Sequence, residues 1–132
     1  MKIEHFAVNV EAPQDMSDWY EEYLGLAVIK KSEQAPYMTF LADDSGRVMI
    51  EIYKNTAAPI PDYKNMNPLM MHLAFVSDDP SSDKDRLLKA GATLVSEDHL
   101  EDNSHLVMLR DPWGLALQLC KRNTPMLADS ER

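Results

Sequence analysis

The chain has 132 residues, 13 basic and 22 acidic for a net charge of −9, and 45% of them are hydrophobic. That length suits one domain with a packed core and no covalent staples. A single cysteine, Cys120, excludes an intrachain disulfide, and no apolar run approaches the roughly 20 residues that span a bilayer. The negative balance opposes binding to phosphate backbones, so neither nucleic acid nor membrane is an expected partner. No charged-then-apolar leader opens the chain, which makes a cytoplasmic location the simple expectation. The acidity reads first as a device for solubility and second as attraction for a cationic ligand.

In chain order, alternating apolar positions predict a strand over residues 2–10 and a helical pattern predicts a helix over 14–24, stopped by Gly25. Strands are predicted near 27–31, 37–42 and 48–53. Residues 54–68 contain Pro59, Pro61 and Pro68 and read as a linker. A second set follows: a strand at 70–76, a helix over 81–90 capped by Gly91, then strands at 93–96, 105–110 and 116–121. The predicted organisation is one domain over 1–124, with modules at about 1–53 and 69–121, and a loose tail over 125–132.

Superposing the two segments exposes a repeat, because a duplicated unit keeps its landmarks at constant offset. His5-Phe-Ala-Val matches His72-Leu-Ala-Phe at 67 positions (72 minus 5), and Pro13 matches Pro80 at the same offset. Glu51 within Ile50-Glu51-Ile52 matches Gln118 within Leu117-Gln118-Leu119, also at 67. The fold class is therefore α+β, two βαβββ modules.

Strand parity sorts the side chains. Phe6, Val8 and Val10, Ile50 and Ile52, Leu73 and Phe75, and Leu115, Leu117 and Leu119 form apolar sets expected under helices. The opposite parity carries His5, Glu51, His72 and Gln118 among small or soft residues. Polar groups on such a face are costly to bury unless paired or coordinating something. Two imidazoles, one carboxylate and one amide oxygen make a donor set for a divalent ion, Ni, Zn, Mn, Fe or Co, with positions left for water or substrate.

His5-x-Ala, Trp19-Tyr20-x-x-Tyr23-Leu24-Gly25-Leu26, Ile50-Glu51-Ile52-Tyr53, His72-x-Ala and Asp111-Pro112-Trp113-Gly114-x-x-x-Gln118-Leu119 resemble the glyoxalase, bleomycin-resistance and extradiol-dioxygenase (vicinal oxygen chelate) superfamily over nearly the whole chain. The resemblance implies a cupped mixed sheet with helices outside, and metal ligands at His5, Glu51, His72 and Gln118. It also implies a small-molecule substrate and a homodimer, with modules paired within a chain or swapped between chains. The implied chemistry is that of a metal-dependent lyase or isomerase, in which the ion stabilises an enediolate and Glu51 is ligand and catalytic base. Gln118 stands where glyoxalase I-like proteins carry glutamate, and an amide cannot take a proton at neutral pH. Epimerase-like members share this ligand composition with the modules interchanged. A small two-His, one-carboxylate dioxygenase, fosfomycin-type thiol transfer, and a non-catalytic drug-sequestering protein of the bleomycin-resistance type are the alternatives. Asn9, Tyr53 and Asn55 are candidate pocket residues. Lys54 and Arg110 read as anion holders or as solvated charges, Cys120 as packing, and Met38, Met49, Met70 and Met108 as core filler or pocket wall. His99 and His105 lie in an acidic stretch read as a polar connector, and no role is assigned to them.

Overall fold

A computed structural model describes residues 1–127; the end of the expected tail, residues 128–132, lies outside the described residues. The chain divides into two compact units, which meet in sequence between Pro61 and Asp62. Each holds one four-stranded mixed sheet and one α-helix, the α+β architecture of two βαβββ modules that the repeat predicts. Among the described residues no helix is long and apolar enough to cross a membrane.

The first unit runs β1 (His5–Asn9), α1 (Pro13–Leu24), β2 (Ala27–Lys31), β3 (Thr39–Ala42) and β4 (Met49–Tyr53), with sheet order β1-β4-β3-β2. Proline at the first turn of α1 supplies a helical φ where no amide donor is needed. Gly25 ends the helix in the left-handed region at φ 70°, its N–H donating to the Tyr20 carbonyl. β1 pairs parallel with β4, which requires a crossover, and α1 lies within it. The helix buries Met16, Trp19 and Tyr20, and the sheet buries Val8, Leu41, Ile50 and Ile52. Phe6 departs from the expected apolar set: it sits on edge strand β1 and remains 48% exposed.

The second unit repeats the plan with β5 (Leu73–Val76), α2 (Pro80–Lys89), β6 (Thr93–His99), β7 (His105–Arg110) and β8 (Ala116–Lys121), in sheet order β5-β8-β7-β6. Asp79 caps α2 by accepting from the Ser82 N–H at 3.1 Å. Ala90, not Gly91, is the C-cap, and Gly91 follows at φ 104°. Leu87 of this helix is fully buried, as are Val107, Leu109 and Leu117 of the strands it packs on. β6 extends to His99, three residues past the expected end, because charged and histidine side chains still pair across the ladder with β7. Lys84 of α2 donates to Glu97 of β6 at 2.9 Å and so ties the helix to the edge strand.

A short 3₁₀ turn at Tyr63–Asn65 precedes β5 in this unit. Arg110, a candidate anion holder in the sequence, is committed to backbone here: its guanidinium donates to the carbonyls of Tyr63 at 2.8 Å, Met66 at 2.8 Å and Gly114 at 3.1 Å. The Asp-Pro-Trp-Gly motif makes the facing turn. Asp111, 3% exposed, accepts from the N–H groups of Trp113 at 2.9 Å and Leu115 at 3.0 Å. Gly114 adopts φ 98°, and a Cβ there would meet the Lys64 backbone at 2.7 Å from N and 2.8 Å from Cα.

Gly114→Ala is expected to cost roughly 3 kcal/mol, since strain at positive φ adds to overpacking against backbone that cannot swing aside. Urea denaturation checks it, with an unchanged midpoint as the contrary result. A second expectation concerns acid. Hydrogen bonds from Lys84 and then His105 hold the Glu97 carboxyl below its usual range. A depressed folded pKa means that the contribution to stability is complete above the ordinary carboxylate value and is lost as pH falls through the depressed one. Glu97→Gln should therefore lower the thermal midpoint at neutral pH, and the gap from the parent should close below about pH 4, followed by circular dichroism.

Candidate functional site

In the first unit the β1/β4 register sets Ala7 beside Glu51 and His5 beside Met49. His5, Ala7, Met49, Glu51 and Tyr53 therefore share the sheet face opposite α1. His5 and Glu51 come together there, Nε2 to Oε1 at 3.5 Å, while the imidazole Nδ1 lies 2.9 Å from Glu4 Oε1. The ring also stands edge-on to Phe40, centroids 5.4 Å apart at 89°. A carboxylate only accepts, so a proton on Nδ1 serves the Glu4 contact, and Nε2 is the ring atom that faces the Glu51 oxygen. Nε2 and the Glu51 oxygen are both atoms able to hold a cation between them, whether proton or metal.

The second unit repeats the placement for Gln118, which occupies the β8 position that Glu51 holds in β4. Ala74 pairs with Gln118, and His72 lies immediately before β5, outside the ladder. Nδ1 of His72 lies 2.8 Å from the Pro68 carbonyl, which only accepts, so Nδ1 donates there and Nε2 is the ring atom left for another partner. Orienting a ligand imidazole through its far nitrogen is the usual outer-shell arrangement at metal sites. Gln118 Oε1 accepts only weakly, from the Cys120 thiol at 3.3 Å, and retains capacity for a stronger partner. Burial pushes the Cys120 thiol up, which fits packing and opposes nucleophilic use. By donor chemistry, both His-plus-oxygen pairs suit a borderline divalent ion.

The pocket candidates divide. Tyr53 continues the Glu51 face. Asn9 and Asn55 are engaged with backbone: Asn9 donates to the carbonyls of Asn55 at 3.0 Å and Ala58 at 3.2 Å and accepts from the Asn55 N–H at 2.7 Å. Asn55 Oδ1 in turn accepts from Ala57 N–H at 2.9 Å. Both amides shape the turn that follows β4. Lys54, the other candidate anion holder, pairs with Glu11 at 2.6 Å.

The reading of His99 and His105 as connector residues is corrected. They end β6 and begin β7 and pair directly across the ladder. With Glu97 they form a group whose three donor atoms lie within 4.8 Å of one another, able to hold a metal ion. The signal missed in the sequence was parity: Glu97 and His99 alternate on one strand, and a hairpin closing at 100–104 brings His105 opposite.

The family profile described as the Glyoxalase/Bleomycin resistance protein/Dioxygenase superfamily matches residues 2–119. No curated protein matches the chain. Among solved structures, a glyoxalase family protein from Bacillus cereus is 19% identical with a TM-score of 0.73, covering 94% of each chain. TnmS3, an antibiotic binding protein from Streptomyces sp. CB03234, is 17% identical with a TM-score of 0.71, covering 92% of this chain and 96% of that one. Lactoylglutathione lyase from Agrobacterium tumefaciens is 20% identical with a TM-score of 0.64, covering 89% and 91%. Likeness at these identities carries the fold and does not transfer a ligand. With the profile spanning nearly all of the sequence and the fold shared, the chain belongs to the glyoxalase/bleomycin resistance protein/dioxygenase superfamily.

Proposed function

We propose that this protein is a metal-dependent lyase or isomerase acting on a small oxygenated metabolite, with His5, Glu51, His72 and Gln118 as ligands of a divalent ion and Glu51 as catalytic base. The observation that carries the reading is His5 Nε2 set 3.5 Å from Glu51 Oε1 while Nδ1 lies 2.9 Å from Glu4 Oε1. When bound, the ion supplies Lewis-acid stabilisation of negative charge at a substrate oxygen. Glu51 takes the proton from the carbon beside that oxygen and returns it to the neighbouring one, as the only carboxylate in the set. Gln118 contributes an amide oxygen and no proton transfer. Phe40 and the Pro68 carbonyl hold the His5 and His72 rings in place.

A second reading, sequestration of a cationic ligand without chemistry, is favoured by the net charge of −9 and by Gln118. TnmS3 is an antibiotic binding protein on the same fold.

Elemental analysis of protein purified without added metal separates the two. The enzyme reading expects transition metal in the parent and a marked loss in a His5→Ala, His72→Ala double variant. A parent that takes up no ion, even after incubation with Ni, Zn, Mn, Fe or Co, favours sequestration. Glu51→Gln tests the base. Deuterium exchange at the acidic carbon of hemithioacetal or acyl-thioester substrates should fall by about 10² or more in that variant, in the range for loss of a general base. Unchanged exchange in a metal-loaded variant would remove Glu51 from the role.

A further inference from the structure

On the second unit, Glu97, His99 and His105 lie on the sheet face that α2 covers, since His99 pairs with His105 and Glu97 with Val107, which is buried under that helix. Gln118 and Met108 occupy the opposite face. The group therefore lies on the other face of this sheet from Gln118. Its carboxylate is divided between two kinds of partner: Oε1 accepts from Lys84 at 2.9 Å, while Oε2 lies 2.6 Å from His105 Nε2 and 3.9 Å from His99 Nε2. The two imidazoles stack, with centroids 4.1 Å apart and planes 19° from parallel.

An ion-pair network accounts for Lys84, Glu97 and His105 but not for His99, whose side chain is 72% exposed and whose Nε2 is beyond hydrogen-bond reach of the same oxygen. Donors around a tetrahedral ion with bonds near 2.0–2.1 Å sit about 3.3 Å apart, a value bracketed by the two nitrogen–oxygen separations. The geometry points to a further divalent-metal site formed by His99 Nε2, His105 Nε2 and Glu97 Oε2, suited to Zn²⁺, Ni²⁺ or Cu²⁺, with water on its open side. Lys84 orients the carboxylate through the other oxygen, an outer-shell role. The ion replaces the proton between His105 and Glu97, so binding weakens as pH falls. It would also cross-link the two strands where the hairpin opens towards its loop.

The test titrates Zn²⁺ into chelator-stripped His5→Ala, His72→Ala protein, which lacks both histidine ligands assigned above, by calorimetry and by NMR of the histidine rings. The expected result is one Zn²⁺ per chain, with shifted signals from both His99 and His105. Adding His99→Ala, a change at an exposed side chain, should weaken binding about ten-fold or more. Ring signals unmoved by about 1 mM zinc, or an affinity loss below about ten-fold in the His99→Ala protein, would overturn the assignment, leaving the ion-pair network alone.

Discussion

Parallel pairing of β1 with β4, and of β5 with β8, decides which side chains each sheet offers to its helix and which to the other side. The β1/β4 register puts Ala7 against Glu51, and the β5/β8 register puts Ala74 against Gln118. A slip of one residue would bury the Glu51 carboxylate under α1 and expose Ile50 and Ile52 in its place. Desolvating that charge would cost several kcal/mol while the apolar contacts were lost, so the register is strongly specified. The position of the polar donors therefore follows from the packing of their apolar neighbours.

Much of this was legible because burial writes a periodic signal. β4 carries that signal, with Ile50 and Ile52 buried between more open neighbours, while the strands expected near 27–31, 105–110 and 116–121 emerge as β2, β7 and β8 without such alternation. The 67-residue offset reappears in the ladders, where Ala7 pairs with Glu51 and Ala74 with Gln118, although His72 falls one residue before β5. What was illegible depended on partners distant in sequence. Arg110 looks like an available cation until Tyr63 and Met66 are found to hold it. Asn9 looks like a pocket group until its amide is found in the turn after β4. His99 and His105 looked solvated because the last residues of β6 have little apolar character, and their pairing rests on ladder hydrogen bonds and on Lys84 rather than on burial.

The histidines show how neighbours set the use of one side-chain type. His72 is turned by a carbonyl, which selects a tautomer without adding charge. His5 is turned by the Glu4 carboxylate, 2.9 Å from its Nδ1. His105, with a side chain only 12% exposed, meets a carboxylate already shared with a lysine. These are different electrostatic settings, and a divalent ion would compete with different partners in each.

The clamp of Arg110 on the turn at Tyr63–Asn65 has a consequence for how such a chain can be divided. Proline content marks residues 54–68 as connecting chain, yet the part from Asp62 onward is bound to the second unit by the guanidinium and by the close approach of Gly114 to Lys64. The portable piece is thus longer than the sequence repeat, because it carries its own lead-in. A duplication or recombination that cut just before β5 would leave Arg110 with two backbone acceptors missing and Gly114 facing open space. A cut near Pro61 would leave both intact, so the natural joint for exchanging modules lies before the 3₁₀ turn.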